Sequence, residues 1–358
     1  MYDVIVIGGG QAGLTAGYFL KQQGLDYLIL DDGKSVGDSW RRRFQSLRLF
    51  TPNNLNRLAG SETPRGEGEY LTKDEFADYL AAYAGQHSLN VQLNSKVIQL
   101  DKQSDRFLVK VAYKGSIQHV VAQQVIIATG AFATPIIPEF AERVPGSILQ
   151  FTVNQLAQQA FQGQRIIVVG DGASGRQIAK QYAQDNEVTL ACGKARALFP
   201  STLFGLDTFA ILDKVGILNL SANTWLGRRI QARDPFPDTG LKLPLLAKLG
   251  IKLKPKLKDY RNQAVFADGS EQLPDVIIWA LGYRNKFTWL NIEGAVKAGS
   301  LQQIGGTTSV KGLYSLSQPW QNNRKSALIC GAESDMRNVL PTILAVKQEA
   351  PSLQFDVG

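Results

Sequence analysis

Three glycines near the amino terminus have a spacing that allows a chain to bind phosphate. Gly8, Gly10 and Gly13 form a G-x-G-x-x-G pattern that encloses Gln11 and Ala12. In such a pattern the first glycine permits a tight turn, and the second lets a pyrophosphate approach the backbone. The third lets a helix pack closely on a strand, and the first amides of that helix point toward the phosphates.

An acid follows at the distance that dinucleotide binding requires. Asp31, with Asp32 after it, ends the apolar run 27–30 and lies about twenty residues beyond the last glycine, where a carboxylate accepts hydrogen bonds from an adenosine ribose. The glycines could instead form a βα turn that binds nothing. Strand, glycines, helix, second strand and acid are nevertheless in register, and this context favours nucleotide binding.

The same glycine spacing recurs in the middle of the chain, at Gly170, Gly172, Ala173, Ser174 and Gly175. No acid follows the next predicted strand, 187–191, and Lys194 and Arg196 come there instead. Cations in place of the acid suit the 2′-phosphate of NADPH, although both side chains could simply be solvated. Two motifs imply two nucleotides, so we predict FAD at the first and NADPH at the second, with NADH as an alternative.

These motifs need strands and helices that hold them. The sequence predicts a helix opened by the capping box Thr72–Glu75, strands near 96–100, 106–112, 117–122, 125–130, 275–283 and 312–316, and a helix from 336 to 348. The predicted fold is α/β, with two Rossmann-like dinucleotide-binding domains arranged as in glutathione reductase. We expect FAD-domain segments at 1–150 and 287–358, and an NADPH domain inserted at 151–286.

Composition excludes several other classes of protein. The 358 residues include two cysteines and two histidines, so a disulfide scaffold, a His-centred triad and a metal site are not expected. The net charge of +8, much of it between residues 228 and 258, favours a solvated basic lobe or cofactor steering over nucleic-acid binding. No apolar run suggests a membrane span, and the predicted location is cytoplasmic.

In order along nearly the whole chain, the motifs resemble those of flavin-containing monooxygenases, particularly compact bacterial members similar to the plant YUCCA enzymes. Besides both glycine motifs, the resemblance rests on residues 37–41, 128–130, 279–283 and 312–314. It implies FAD, NAD(P)H, oxygen and a small substrate that is a soft nucleophile, such as a sulfide or an amine. The cofactor-binding residues it adds are Gly37, Trp40, Arg41, Val97, Ala128, Thr129, Gly130, Gly282, Tyr283 and Asp335. Asp335 is expected just before the last helix, near the ribityl chain of the flavin.

The chain departs from the family in the fingerprint expected at 144–154. Gln150 stands in place of the family's histidine, and Asn154 in place of an aromatic residue. Leu281 and Ser317 also replace the usual threonine and glycine. Gln150 and Asn53 are the candidate catalytic residues; Asn53 lies near an active-site asparagine of part of the family, but it could instead be a turn former.

The resemblance implies hydride transfer from NADPH to the flavin, followed by reaction with oxygen through a C4a-hydroperoxide. The degraded fingerprint predicts that this oxygen transfer is poorly coupled. Two alternatives remain open: an NADPH oxidase or reductase that makes no oxygenated product, and a non-catalytic partner protein that senses redox state through FAD and NADP. A homodimer is also left open.

Overall fold

The computed structural model describes residues 1–64, 70–132, 134–194 and 197–349. The first elements are β1 (Tyr2–Ile7), α1 (Gln11–Gln22), β2 (Tyr27–Leu30), α2 (Asp38–Arg41), α3 (Lys73–Gln86), β3 (Val91–Gln92), β4 (Ser95–Gln103), β5 (Arg106–Tyr113), β6 (Ser116–Ile127) and β7 (Thr134–Pro135). The middle of the chain forms β8 (Leu149–Thr152), β9 (Arg165–Val169), α4 (Ala173–Tyr182), β10 (Glu187–Ala191), β11 (Leu198–Pro200), β12 (Thr202–Leu203), β13 (Leu206–Asp207), α5 (Thr208–Lys214), α6 (Trp225–Arg233), β14 (Phe236–Asp238), α7 (Leu243–Lys248), β15 (Lys252–Lys254), β16 (Leu257–Tyr260), β17 (Ala264–Phe266), β18 (Glu271–Gln272), β19 (Val276–Trp279) and β20 (Tyr283–Arg284). The last elements are β21 (Val296–Lys297), β22 (Ser300–Leu301), β23 (Gln303–Ile304), β24 (Thr307–Thr308), β25 (Leu313–Ser315) and α8 (Ala332–Glu349).

The first sheet has nine strands, in the order β23-β24-β25-β6-β1-β2-β3, with β5 also paired to β6 and β4 paired to β5. Strand β1 is apolar on both faces. Val4 and Val6 point toward a cluster formed with α1, α3 and α8, whereas Ile5 and Ile7 point toward β4 and β5. This alternation is what a strand buried on both faces requires.

Strand β6 joins two strands that the sequence predicts separately. Its first part pairs antiparallel with β5, from Ser116 to Ala122, and its second part pairs parallel with β1, from Ala122 to Ile127. The predicted strands 117–122 and 125–130 leave Gln123 and Gln124 between them. Gln124 is instead fully buried, with its side chain bonded to Tyr314 and to the carbonyl oxygen of Ile343, so the strand continues through it.

The second sheet has five parallel strands, in the order β15-β10-β9-β19-β8. All of its strands come from residues 149–279, whereas the first sheet takes strands from residues 2–127 and 303–315. The chain therefore leaves the first sheet after β6 and returns to it at β23. The exact domain limits given above stay a prediction.

The segment from β11 to β14 reaches back to the first part of the chain. Phe209 of α5 stacks on Phe50 with ring centroids 5.6 Å apart, and Tyr70 bonds to Asp207. Within the described residues, no helix has the length and apolar character needed to cross a bilayer.

Candidate functional site

The first glycine loop connects β1 to α1 at the carboxyl edge of the first sheet. Gly8 has a φ of +108°, and a Cβ there would lie 2.5 Å from the carbonyl oxygen of Ala128. A Cβ on Gly13 would collide with the carbonyl oxygen of Gly8. A Cβ on Gly10, in contrast, would have no described atom within 4 Å. Two of the glycines are therefore required by the protein itself, and the third leaves open space beside the backbone.

Asp31 faces this loop from the end of β2. Its Oδ2 accepts a 2.6 Å hydrogen bond from the Gly9 amide, and its Oδ1 accepts a 2.8 Å bond from the Gly33 amide. Burial raises the pKa of the Asp31 carboxyl, and the two amides oppose that shift. The neighbouring Asp32 is exposed and lies 3.8 Å from Arg42. The acid that the sequence singles out is thus fixed beside the glycine loop.

The amino terminus of α1 is suited to an anion. Its first turn, from Gln11 through Ala12 onward, contains no acid, and no described side chain caps its amides. Unpaired amides at a helix start carry partial positive charge and bind phosphate groups well. A pyrophosphate in the open space at Gly10 would satisfy them.

The second glycine loop repeats this geometry between β9 and α4. Gly170 also has a φ of +108°, and its Cβ would lie 2.5 Å from the carbonyl oxygen of Ala280. Gly175 touches the Gly170 carbonyl as Gly13 touches that of Gly8, and a Cβ on Gly172 would again meet no described atom within 4 Å. Ala173 and Ser174 begin α4, whose first turn contains no acid. The glycines of the two loops therefore have the same arrangement, and we call residues 8–13 the first cradle and residues 170–175 the second cradle.

The predicted cations lie beyond β10. Lys194 is exposed, and Arg196 lies outside the described residues. By strand register, the position that Asp31 occupies after β2 corresponds to Cys192 after β10. Burial raises the pKa of the Cys192 thiol to about 11, so this strand end carries no anionic side chain at that position near neutral pH.

Several buried polar side chains have no hydrogen-bond partner among the described residues. The side-chain amide of Asn53 is fully buried and has no hydrogen-bond partner among the described residues. The same holds for the Oγ of Ser317 and the Nε2 atoms of Gln318 and Gln321, which follow β25. Buried groups left unpaired cost roughly 1–3 kcal/mol each. Ser317, Gln318 and Gln321 lie beyond the carboxyl end of β25, where the polar parts of a dinucleotide would fit.

Asp335 lies in the first turn of α8, and not before the helix as the sequence suggests. Its Oδ1 accepts bonds of 2.7 Å from Asn322 and 2.8 Å from Ser326. Burial raises the pKa of the Asp335 carboxyl. The helix begins earlier than predicted because the short turn Ile329–Gly331 leads directly into it.

The loops beyond the two sheets meet. Ala128, Thr129 and Gly130 follow β6, and β7 then pairs with β20, which follows Gly282. The side chain of Arg43 donates to the Tyr283 hydroxyl and, at 3.1 Å, to the carbonyl oxygen of Phe132. Asn285 donates to Gln318 at 2.6 Å. The loops that follow the two sheets therefore contact each other, and we call this region the junction.

Comparison with known proteins identifies this architecture. The model of the pyridine nucleotide-disulphide oxidoreductase family matches residues 5–199. An uncharacterized CzcO-like oxidoreductase of Geobacillus kaustophilus is 38% identical, over 96% of this chain and 98% of that protein.

The chain belongs to this family of oxidoreductases.

Monooxygenases are among the relatives of this oxidoreductase. Indole-3-pyruvate monooxygenase YUCCA8 of Oryza sativa subsp. indica is 25% identical, over 85% of this chain and 82% of that protein. The flavin-containing monooxygenase of Stenotrophomonas maltophilia superposes with a TM-score of 0.76 at 26% identity, covering 96% of this chain and 98% of that one. The resemblance to flavin-containing monooxygenases and the predicted α/β fold are confirmed.

In this oxidoreductase, Gln150 is engaged inside the second sheet. Its Oε1 accepts a 3.0 Å bond from the Trp279 indole, and its Nε2 donates to the carbonyl oxygen of Ala141 at 3.2 Å. Asn154 accepts a 3.2 Å bond from the Tyr283 hydroxyl. These bonds leave one N–H and one lone pair of the Gln150 amide without a bond shown here, and a catalytic role for Gln150 stays a prediction.

Four other predicted cofactor-binding residues of the oxidoreductase have the following surroundings. Gly37 has a φ of +88°, and a Cβ there would press on the backbone of Ala77. Trp40 packs edge-on against Phe76, with ring centroids 4.9 Å apart. Arg41 pairs with Asp78 at 2.6 Å, and Val97 is a half-buried residue of β4. Trp40 and Arg41 thus have protein partners of their own in this structure.

Sequence reasoning missed three residues that the structure brings to the junction. Arg43, Asn285 and Gln318 make its side-chain contacts. Burial lowers the pKa of the Arg43 guanidinium and raises that of the Tyr283 phenol. The run of three arginines at 41–43 was the available signal, but nothing in it distinguishes the residue that crosses the junction.

Proposed function

We propose that this oxidoreductase binds FAD at the first cradle and NADPH at the second, and uses oxygen to oxidise a small soft nucleophile such as a sulfide or an amine. One observation carries the proposal: two glycine loops of equal geometry lie at sheet edges whose loops pair through β7 and β20. Ligands of α/β sheets bind beyond the carboxyl ends of the strands.

FAD would lie along the first edge. The residues proposed to hold it are Gly8, Gly10, Gln11, Ala12, Gly13, Asp31, Asp32, Gly37, Trp40, Arg41, Val97, Ala128, Thr129, Gly130 and Asp335. Asp31 would take the ribose, and the amides of α1 would take the pyrophosphate. The unpartnered groups of Ser317, Gln318 and Gln321 support a polar ligand chain nearby.

NADPH would lie along the second edge. The residues proposed to hold it are Gly170, Gly172, Ala173, Ser174, Gly175, Lys194, Arg196, Gly282 and Tyr283. Lys194 and Arg196 would favour the 2′-phosphate of NADPH over NADH. We assign segments 1–150 and 287–358 to the FAD domain and 151–286 to the NADPH domain.

When bound, FAD supplies hydride acceptance and the activation of oxygen, so the protein needs no strong acid or base of its own. The chain's residues bind and orient the two nucleotides and keep water away. Asn53 contributes a buried amide that can donate and accept hydrogen bonds. The segment from β11 to β14 contacts this part of the chain through Phe50 and Tyr70.

A second function, NADPH oxidation without an oxygenated product, is favoured by the position of Gln150. Its amide is bonded to Trp279 and Ala141, and we infer that these bonds orient it toward the second sheet and reduce its contribution to retaining the nicotinamide nucleotide. We infer that coupling is incomplete. A non-catalytic sensor of redox state would use the same cradles but would not turn over NADPH. Cytoplasmic location and a homodimer stay predictions.

The experiment that tests the proposal starts from purified protein supplied with FAD. Steady NADPH consumption with a thioether present separates an enzyme from a sensor, and quantifying sulfoxide separates an oxygenase from an oxidase. We expect turnover with sulfoxide and hydrogen peroxide both formed. Protein that binds no flavin, or flavoprotein that leaves NADPH unconsumed in air, would contradict the proposed activity.

A further inference from the structure

At each cradle a hydrogen bond from a backbone amide to a carboxylate joins the glycine loop to the end of the neighbouring strand. The two cradles differ in which side supplies the carboxylate. At the first cradle the Gly9 amide of the loop donates to Asp31 beyond β2, at 2.6 Å. At the second the Gly193 amide beyond β10 donates to Asp171 of the loop, at 2.9 Å. The carboxylate of the second cradle therefore belongs to the glycine loop, whereas that of the first cradle lies at the strand end, where an acid binds the ribose of a dinucleotide.

This relocated carboxylate is buried and paired. Asp171 is 6% exposed, and its Oδ2 lies 3.2 Å from a guanidinium nitrogen of Arg176, which is 2% exposed. Arg176 also donates to the carbonyl oxygens of Asp171 at 2.8 Å and of Leu241 at 2.9 Å, and it lies over the Phe236 ring. These contacts fix the guanidinium in one place.

A cation at the position of Arg176 is electrostatically unfavourable unless it pairs with Asp171. It lies in the first turn of α4, where the partial charge of the helix is positive and a cation is disfavoured. Buried charges are tolerated when they are paired and fully hydrogen-bonded. The ion pair leaves the loop with no net charge next to the strand end that carries Cys192 and Lys194.

We propose that Arg176 is a specificity-determining positioning residue. It neutralises Asp171 and holds that carboxylate on the Gly193 amide, so the strand end has no free negative charge to repel a 2′-phosphate. An unpaired Asp171 would resemble the ribose-binding acid of the first cradle and would disfavour a phosphorylated ribose. The inference rests on the proposed use of NADPH at this cradle.

The test compares NADP⁺ and NAD⁺ binding to FAD-loaded protein by titration calorimetry, which does not depend on turnover. Arg176→Gln removes the charge but keeps a side-chain amide, and Arg176→Lys keeps the charge. The double variant Asp171→Asn/Arg176→Gln removes both charges, which buried pairs tolerate better than loss of one partner. Lys180→Gln makes the same charge change at an exposed position of the same helix.

We expect Arg176→Gln to weaken NADP⁺ about tenfold or more, the scale of a lost charged contact, with NAD⁺ changed less than about threefold. Arg176→Lys, the double variant and Lys180→Gln should stay within about threefold of the wild type for both nucleotides. Equal losses for NADP⁺ and NAD⁺ in Arg176→Gln, or no loss for either, would overturn the proposal.

A further variant decides the matter if Arg176→Gln does not fold. Asp171→Asn should keep or raise the ratio of NADP⁺ to NAD⁺ affinity, because it removes the negative charge; a selective loss of NADP⁺ would refute the inference. Binding to the wild type distinguishes failure of the proposed NADPH preference from failure of the role proposed for Arg176. If it binds NAD⁺ as tightly as NADP⁺, the proposed NADPH preference fails before any variant is compared.

Discussion

Gly10→Val should abolish FAD binding and leave the empty fold intact. Gly10 caps α1 with φ −76° and ψ −171°, an extended conformation that valine adopts easily. A Cβ there would meet no described atom within 4 Å. Since the added side chain strains nothing and stiffens the unfolded chain, we expect the stability of the empty protein to change by about 1 kcal/mol or less.

Gly13→Ala provides the contrast. Its Cβ would collide with the carbonyl oxygen of Gly8, and both partners are backbone that cannot swing away. Overpacking of this kind costs roughly 1–3 kcal/mol or more. Gly13→Ala should therefore lower the melting temperature of the empty protein, whereas Gly10→Val should not.

The assay is flavin absorbance after purification, together with thermal melts with and without added FAD. FAD at a hundred times its Kd stabilises a protein that binds it by about 2.7 kcal/mol. Wild-type protein should show that gain, and Gly10→Val should show none because its side chain fills the space left for the pyrophosphate. A Gly10→Val protein that purifies with full flavin would refute the assignment of the first cradle.

Three further predictions concern the second cradle, coupling and the thiols. Replacing Lys194 and Arg196 by alanine should raise the KM for NADPH roughly ten- to hundredfold, since a charged contact with the 2′-phosphate is worth about 1.5–3 kcal/mol. The KM for NADH should hardly change, and equal wild-type efficiency with both nucleotides would contradict the assignment. Because Gln150 is bonded within the second sheet, much of the NADPH consumed should appear as hydrogen peroxide in a peroxidase-coupled assay; one oxygenated product per NADPH without peroxide would show the expectation to be wrong. Burial raises the pKa values of Cys192 and Cys330 to about 11, so at pH 8 each is ionised to about one part in a thousand, against roughly a quarter for a free thiol. Both should react with a thiol-specific disulfide reagent at least a hundredfold more slowly than free cysteine, and rapid titration of either in native protein would count against its burial.

The sequence predicts the features of this fold that depend on local chemistry. The glycine spacing indicates a cradle because only glycine tolerates the turn at Gly8 and the close approach at Gly13. The capping box at Thr72 and Glu75 forms as expected and starts α3. These features need only neighbours in sequence, or one strand–turn–helix unit.

Features that depend on distant contacts could not be predicted in this way. Gln124 continues β6 because its amide bonds to partners about two hundred residues away: the Tyr314 hydroxyl donates to its Oε1, and the carbonyl oxygen of Ile343 accepts from its Nε2. Gln150 replaces a family histidine, and its bonds to Trp279 appear only once the second sheet is assembled. Burial of Asn53, which leaves its amide without a described partner, likewise cannot be read from a Pro-Asn-Asn segment.

The most direct test of the account is an anaerobic titration of the FAD-loaded protein with NADPH, followed by flavin absorbance. The two nucleotides are proposed to bind at cradles whose loops meet, so hydride should pass between them. One equivalent of NADPH per flavin should therefore bleach the oxidised flavin band. Flavin that stays oxidised in the presence of excess bound NADPH would contradict the central claim.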